Sequence, residues 1–191
     1  STIRCADNIK AAIYRAEQMV KLFEDPEQGG YYMTASDGEK LIARPKETYD
    51  GAIPSGNSAA AMVQQRLASL TGEIQWQDAA HRQMRFLAGK IGQYPASSCF
   101  GVLAMMDAIN SHRELVCAVK EGLPDELRDY LEQYPTDDLE ILLKTESNAE
   151  KLSRCAPFTR DYPIPETGAV YYLCENGSCK APVKSFAELG L

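Results

Sequence analysis

The spacing of apolar residues changes once along the chain, and this change constrains the fold more than any other feature. In the first part, apolar residues recur at three- and four-residue steps, as at Ile9, Ile13 and Ala16, which is the spacing of one face of an amphipathic helix. Later in the chain, continuous apolar runs of strand length appear instead. The sequence therefore predicts a helical domain over 1–110 and a small α/β domain over 111–191.

Four helices are predicted in the first domain, and short loops between them favour antiparallel helical hairpins. The first ends near Asp25, the second runs from about Ser55 to Thr71, the third from about Gln75 to Ile91, and the fourth begins at Pro95. Asn57 or Ser58 is expected to cap the second helix. The fourth carries one charge, Asp107, so we expect it to be buried on most sides, with Asp107 paired to an arginine, capping a neighbour or acting in catalysis.

The second domain reads as strand, helix and strand. Apolar runs at Leu115–Val119 and Leu139–Leu143 flank a helical pattern at Pro124–Tyr134. This spacing predicts a βαβ unit with two parallel strands. A third strand is expected at Ala169–Cys174 and a helical turn at Phe186–Leu189. The predicted fold class is thus α+β and mostly helical.

Composition excludes several classes of function. Lys and Arg number 20 against 27 Asp and Glu, giving a net charge of −7, which argues against a nucleic-acid binder. The whole excess of acids lies between Glu121 and Lys151, as a solvated surface or as a docking face for a basic partner. No apolar run reaches the roughly 20 residues of a membrane span, so we expect a cytoplasmic protein. His81 and His112 lack partners at metal-ligand spacing and no glycine-rich nucleotide motif follows a strand, so we expect no metal and no cofactor.

The segment 50–58 reads Asp-Gly-Ala-Ile-Pro-Ser-Gly-Asn-Ser and leads into the second helix. Ile53-Pro54 enforces an extended approach, and the small polar residues that follow can accept hydrogen bonds from the first amides of the helix. The same amides can hold an anionic or hydroxylated ligand. The spacing leaves capping and ligand binding both open.

A hairpin is predicted near the C-terminus, because Asn176-Gly177 favours a two-residue type I′ turn. This turn puts Cys174 opposite Cys179, close enough to form a disulfide. A bridge, a reactive dithiol and two unbridged cysteines all remain open, and a reducing compartment favours the thiols. The other cysteines on apolar faces are expected to be small core residues: Cys5, Cys99 and Cys117.

Three stretches resemble a known family. The run 46–58 resembles a signature of the YyaL-like family, whose animal members are called spermatogenesis-associated thioredoxin-domain proteins. The run 172–183 is similar to the closing motif of that family, and 29–32 to its Gly-Gly-aromatic element. The motifs occur in the family's order and span most of the chain.

The resemblance implies a larger architecture. Family members have an N-terminal thioredoxin-like domain with a Cys-x-x-Cys motif, then a toroid of paired helices akin to N-acylglucosamine 2-epimerases and six-hairpin glycosidases. This chain has no Cys-x-x-Cys motif, and its helical part, with four helices, is about half of the roughly 200 residues that a toroid of twelve helices requires. We therefore expect a C-terminal fragment that carries the last hairpins of the toroid and is inactive by itself. Its uncovered helix surface would favour self-association.

The resemblance also implies candidate site residues at the mouth of a central funnel. Glu47 and Asp50 would be the catalytic carboxylates. The substrate-binding residues would be Tyr31, Tyr32, Ser55 and Asn57. One implied function is a sugar epimerase, isomerase or hydrolase. The alternative is a non-catalytic scaffold for the thioredoxin-like domain of the same chain, which the Cys174 and Cys179 dithiol would face.

Overall fold

A computed structural model describes residues 3–4, 6–92, 94–110, 113–134, 139–175 and 178–191. Its elements are β1 (Ile3–Arg4), α1 (Ala6–Phe23), α2 (Gly56–Thr71), α3 (Ile74–Ile91), α4 (Cys99–Ile109), β2 (Arg113–Val119), α5 (Asp125–Gln133), β3 (Leu139–Lys144), α6 (Ala149–Cys155), β4 (Ala169–Glu175) and β5 (Ser178–Cys179). The mostly helical α+β class is confirmed. None of the helices within the described ranges is both long and apolar enough to cross a membrane.

The chain forms two compact units, one of residues 12–110 and one of residues 1–11 together with 111–191. The division after residue 110 lies where the apolar spacing changes. The first eleven residues belong with the sheet because β1 pairs in parallel with β3, at Ile3 opposite Ile141. A two-residue strand is too short to produce a period in the sequence, which is why the sequence analysis assigned these residues to the helical part.

Two apolar clusters hold together the described helices of the helical unit. One joins α1, α2 and α3 through Ala16, Leu67, Trp76 and Ala79. The other joins α2, α3 and α4 through Ala61, Leu87, Ile91 and Ala104. The four predicted helices are present, but the predicted start of the fourth at Pro95 is wrong, because Pro95–Ser97 forms a separate 3₁₀ turn and α4 begins at Cys99. Helix α2 ends as expected where Gly72 takes up a left-handed conformation with φ of 67°.

The expected burial of α4 is wrong. Leu103, Met106 and Ile109 lie along one side of α4 and are 54%, 51% and 84% exposed. Only Gly101 and Ala104 of this helix are buried. A helix that is apolar on every side carries no periodic signal, so its sequence does not reveal which side is covered. Self-association through an exposed helix face stays a prediction.

The other unit is built on a five-stranded sheet of order β1-β3-β2-β4-β5. β2 and β3 are parallel neighbours with α5 between them in sequence, which confirms the predicted βαβ unit. β4 runs antiparallel to β2, and β5 antiparallel to β4. Helix α6, missed by the sequence analysis, has only seven residues. One apolar cluster of its core consists of Leu115, Cys117, Val119, Leu127, Leu139, Ile141, Tyr171, Leu173 and Phe186.

Candidate functional site

The segment between α1 and α2 contains most of the candidate residues, and the carboxylate of Asp25 holds its first turn in place. One oxygen accepts the backbone N–H groups of Glu27 and Gln28, at 2.9 and 3.1 Å. The other accepts the Tyr32 hydroxyl at 2.7 Å and the Lys46 ammonium at 2.6 Å. The donors, led by Lys46, Tyr32 and Gln28, hold the pKa of Asp25 well below its usual value. Asp25 is therefore a permanent anion that anchors the loop.

Two cations lie close to the ring of Tyr32. The Arg44 guanidinium lies 4.1 Å from the ring centroid and the Lys46 ammonium 4.9 Å. Arg44 also donates to the carbonyl oxygens of Leu22 and Thr34, so its position is fixed. The hydrogen bond to the Asp25 carboxylate raises the pKa of Tyr32. The ring of Tyr32 is thus fixed by cation–π contacts, and its hydroxyl donates a hydrogen bond to Asp25.

Asn57 joins the loop to α2 through its side-chain amide. Its Oδ1 accepts the backbone N–H of Tyr31 at 2.7 Å and its Nδ2 donates to the Tyr31 carbonyl at 2.9 Å. Nδ2 also donates to the carbonyl of Glu47 at 2.8 Å, and Oδ1 accepts from Nε2 of Gln83 at 3.1 Å. The amide of this buried residue is therefore fully used within the chain.

Two buried glutamines complete this network. Nε2 of Gln64 donates to the Tyr31 hydroxyl, and Nε2 of Gln83 donates to the carbonyl of Asn57 at 2.8 Å. The amide oxygens of Gln64 and Gln83 are buried, and neither has a hydrogen-bond partner among the residues that the structure describes. Burial raises the pKa of Tyr31 to about 12, so its hydroxyl stays neutral.

Asp50 holds the end of the loop against the starts of two helices. Its carboxylate accepts the N–H of Ser55 at 2.7 Å, the hydroxyl of Ser58 at 3.1 Å and the N–H of Gly101 at 2.9 Å. Burial raises the pKa of Asp50, but the backbone N–H donors of Ser55 and Gly101 and the serine hydroxyls lower it more, so the net shift is downward. Asp50 therefore stays ionised and held in place.

Ser55 caps α2, so the prediction that Asn57 or Ser58 is the cap is wrong. The Ser55 hydroxyl accepts the N–H of Ser58 at 3.2 Å. Asn57 and Ser58 lie within the first turn of α2, one and two residues after Gly56, where the side chain of Asn57 faces the loop. The cap lies earlier because Ile53-Pro54 extends the chain only up to Ser55.

A cavity of about 430 Å³ lies between this loop and α1. Its lining residues are Met19, Phe23, Tyr31, Tyr32, Met33, Glu47, Tyr49, Ile53, Pro54, Ser55, Gly56 and Asn57. The structure thus brings together five of the candidate residues, Glu47 among them, and leaves Asp50 outside the lining. Glu47 is exposed, and its Oε1 accepts the N–H of Tyr49 at 2.9 Å.

The sequence analysis missed four residues that position this cavity: Asp25, Lys46, Gln64 and Gln83. The pairing of Asp25 with Lys46 spans 21 residues of irregular loop and leaves no local pattern. Gln64 does lie in a recognisable sequence pattern. It follows Ala60 by four residues and precedes Leu67 by three, which places it on the apolar side of α2. A polar residue at a core position indicates a buried hydrogen-bond network.

A second candidate site lies on the β4–β5 hairpin. Cys174 pairs with Cys179 in the predicted register, with their Cα atoms 3.9 Å apart and their sulfur atoms bonded. The structure thus shows the pair as a disulfide, whereas a reducing compartment was expected to favour the two thiols. The predicted Asn176-Gly177 turn lies outside the described residues.

The remaining cysteines have different surroundings. Cys117 is buried in the sheet core as predicted, whereas Cys99 is exposed at the start of α4, where the apolar helix is uncovered. Cys5 and His112 lie outside the described residues, and His81 is exposed on α3. In the part of the chain that the structure describes, no three His, Cys, Asp or Glu side chains form a cluster that could hold a metal ion.

Comparison with known proteins gives a distant relationship. No protein-family model matches the chain. The chain is 27% identical over 172 residues to spermatogenesis-associated protein 20 of Homo sapiens and equally to that of Mus musculus. The aligned region covers 88% of this chain and 22% of each relative, so the chain spans about a fifth of the length of the curated relatives it matches. The names agree with the resemblance found in the sequence. The toroid and the thioredoxin-like domain remain predictions.

Proposed function

We propose that residues 12–110 contribute the binding wall of a carbohydrate site, centred on the cavity beside Tyr31, Tyr32 and Tyr49. The observation that carries this proposal is the lining itself, in which aromatic rings meet polar groups. A sugar ring has apolar C–H faces that pack on aromatic rings and hydroxyls that need hydrogen-bond partners. Small-molecule sites combine these two kinds of surface, with volumes of roughly 300–1,000 Å³. The cavity of about 430 Å³ lies in that range.

The lining residues would have different roles. Tyr49 is 62% exposed and offers its ring as a stacking platform. The exposed Glu47 carboxylate can accept hydrogen bonds from ligand hydroxyls, because its Oε1 accepts the N–H of Tyr49 and its Oε2 has no donor among the described residues. The hydroxyl of Tyr32 already donates to Asp25, so Tyr32 would contribute its ring.

Catalysis would require a group beyond these residues. Acid–base work on a glycosidic bond commonly uses two carboxyl groups, one with a raised pKa. Asp50 has a lowered pKa, accepts three hydrogen bonds and is absent from the lining, which leaves Glu47 as the carboxylate of the described lining. We therefore assign Asp50 to positioning and Glu47 to binding or acid–base catalysis. A sugar epimerase, isomerase or hydrolase activity would belong to a longer protein, and this chain alone would bind without turnover.

A second candidate function is a scaffold that supports a thioredoxin-like domain of the same protein. It is favoured by the way Asn57 and Asp50 direct their hydrogen bonds into the chain, since these contacts stabilise the loop whether or not a ligand binds. Under this function the cavity would have no sugar specificity.

Saturation-transfer NMR with a panel of mono- and disaccharides separates the two functions. The carbohydrate proposal expects at least one sugar to bind at millimolar concentration, and Tyr49→Ala to weaken it about tenfold, or 1.4 kcal/mol. Tyr14→Ala is the matched control, because Tyr14 on α1 is equally exposed at 62% and lies outside the cavity lining. Absence of binding by every sugar, or equal weakening by both variants, would reject the carbohydrate site and leave the scaffold.

A further inference from the structure

The Cys174–Cys179 disulfide has an unusual neighbour in its own unit. The hydroxyl oxygen of Tyr162 lies 3.3 Å from the sulfur of Cys174 and 3.0 Å from the sulfur of Cys179. A sulfur atom in a disulfide is a poor hydrogen-bond acceptor, whereas a thiolate is a strong one. The hydroxyl therefore lies where it would contribute more after the S–S bond has broken than before.

The surroundings of Tyr162 hold this hydroxyl in place. The Tyr162 ring stacks on Tyr172, with centroids 4.2 Å apart and planes 2° from parallel. The buried Lys144 ammonium donates to the carbonyls of Thr159 and Tyr162, each at 2.7 Å. Burial, followed by the nearby charges of Glu114 and Asp161, raises the pKa of Tyr162, so its hydroxyl keeps its proton.

The two sulfurs differ in accessibility. Cys174 is 4% exposed, whereas Cys179 is exposed on the short strand β5. The residues are five apart, so the bridge closes a small loop and restricts the unfolded chain less than a long one would. A bridge of this kind is open to attack at one sulfur and stabilises the fold less than a bridge across a long loop would.

We propose that Cys174 and Cys179 form a redox-active pair that exchanges with an external dithiol, with Tyr162 stabilising the thiolate that leaves. A thiolate of the dithiol attacks the Cys179 sulfur, forming a mixed disulfide and breaking the Cys174–Cys179 bond. Cys174 leaves as a thiolate that accepts the hydrogen bond of Tyr162. The second thiolate of the dithiol then attacks the dithiol sulfur that is bonded to Cys179. The disulfide of the dithiol forms, the mixed disulfide breaks and Cys179 leaves as a thiolate. The pair gains two electrons, the dithiol is oxidised to its disulfide, and its two thiol protons end on Cys174 and Cys179.

The first test is reduction of the native protein by dithiothreitol, followed by alkylation and peptide mass spectrometry of the two cysteines. We expect reduction while circular dichroism still shows the folded protein. In Tyr162→Phe, which keeps the ring stack, we expect reduction to be about tenfold slower, because a hydrogen bond to a charged group is lost. Tyr130→Phe is the control: it removes a tyrosine hydroxyl elsewhere in the same unit and should leave the rate unchanged within about twofold.

The second test identifies the attacked sulfur with 5,5′-dithiobis(2-nitrobenzoate) as the probe. Cys174→Ser leaves the exposed thiol of Cys179, and Cys179→Ser leaves the buried thiol of Cys174. The Cys179 thiol should react at least tenfold faster than the Cys174 thiol. The proposal is overturned if the oxidised pair resists dithiothreitol until the protein unfolds, or if Tyr162→Phe is reduced as fast as the wild type. The reverse order of reactivity in the two serine variants would overturn attack at Cys179.

Discussion

The cavity of the helical unit and the hairpin of the sheet unit are stabilised in opposite ways. The cavity depends on side chains distant in sequence, such as Asn57, which contacts the backbone of Tyr31 and Glu47 across 26 and 10 residues. The hairpin depends on two cysteines five residues apart. A distributed network is rigid because each hydrogen bond supports the others, whereas a local bridge can open without disturbing its surroundings. The first arrangement suits a preformed binding wall, and the second suits exchange chemistry.

The largest effect is expected from Asn57→Ala. The change removes the side-chain amide and leaves the buried N–H and carbonyl of Tyr31 and the carbonyl of Glu47 without this partner, while Nε2 of Gln83 keeps the backbone carbonyl of residue 57. We expect the free energy of unfolding to fall by about 3 kcal/mol, measured by urea denaturation. The exposed Asn8 is the control, and Asn8→Ala should change stability by less than about 0.5 kcal/mol. A loss below 1 kcal/mol in Asn57→Ala would show that the network does not hold the loop.

A smaller effect is expected from removing the bridge. The double variant Cys174→Ser, Cys179→Ser should lose about 2 kcal/mol relative to the oxidised protein, because the closed loop is short. Dithiothreitol should bring the wild type to within about 1 kcal/mol of the variant. A loss above 4 kcal/mol would make the bridge a structural staple and would remove the contrast between the two sites.

The sequence predicted the hairpin better than the cavity, and the reason is the range of the interactions. The register of Cys174 and Cys179 follows from the length of the turn and the period of two in a strand. The resemblance supplied Tyr31, Glu47 and Asn57 as candidates. Their geometry depends on how the long irregular loop contacts α2. No periodic pattern in the sequence predicts these contacts. The exposed side of α4 escaped prediction for the same reason, since what covers an apolar helix is decided elsewhere in the chain.

The pH dependence of stability sharpens the comparison, because the loop that lines the cavity is anchored by Asp25, a carboxylate with a strongly lowered pKa. The folded-state pKa of Asp25 is lowered, chiefly by Lys46 and Tyr32, so Asp25 stabilises the fold above its ordinary pKa of 3.8. This contribution should decline as the pH falls below that value, since protons then bind the unfolded chain more readily. Denaturation curves at a series of acidic pH values should therefore show a steeper loss in the wild type than in Asp25→Asn. At neutral pH the variant should be less stable by about 1.5 kcal/mol. Parallel pH profiles for the two proteins would contradict the role of Asp25.

The smallest effect concerns the start of α2, where the capping assignment can be tested by amide exchange. In Ser55→Ala the N–H of Ser58 loses its acceptor, so the variant should lose about 1 kcal/mol and the Ser58 amide should exchange faster. In Ser58→Ala that acceptor remains, and Asp50 still accepts the N–H groups of Ser55 and Gly101. The amide at position 58 should then stay protected. Retained protection of this amide in Ser55→Ala would contradict the capping role of Ser55. If faster amide exchange in Ser55→Ala is confined to the first turn of α2, the edge of the cavity network opens locally. The cooperative part of the network around Asn57 then stays closed.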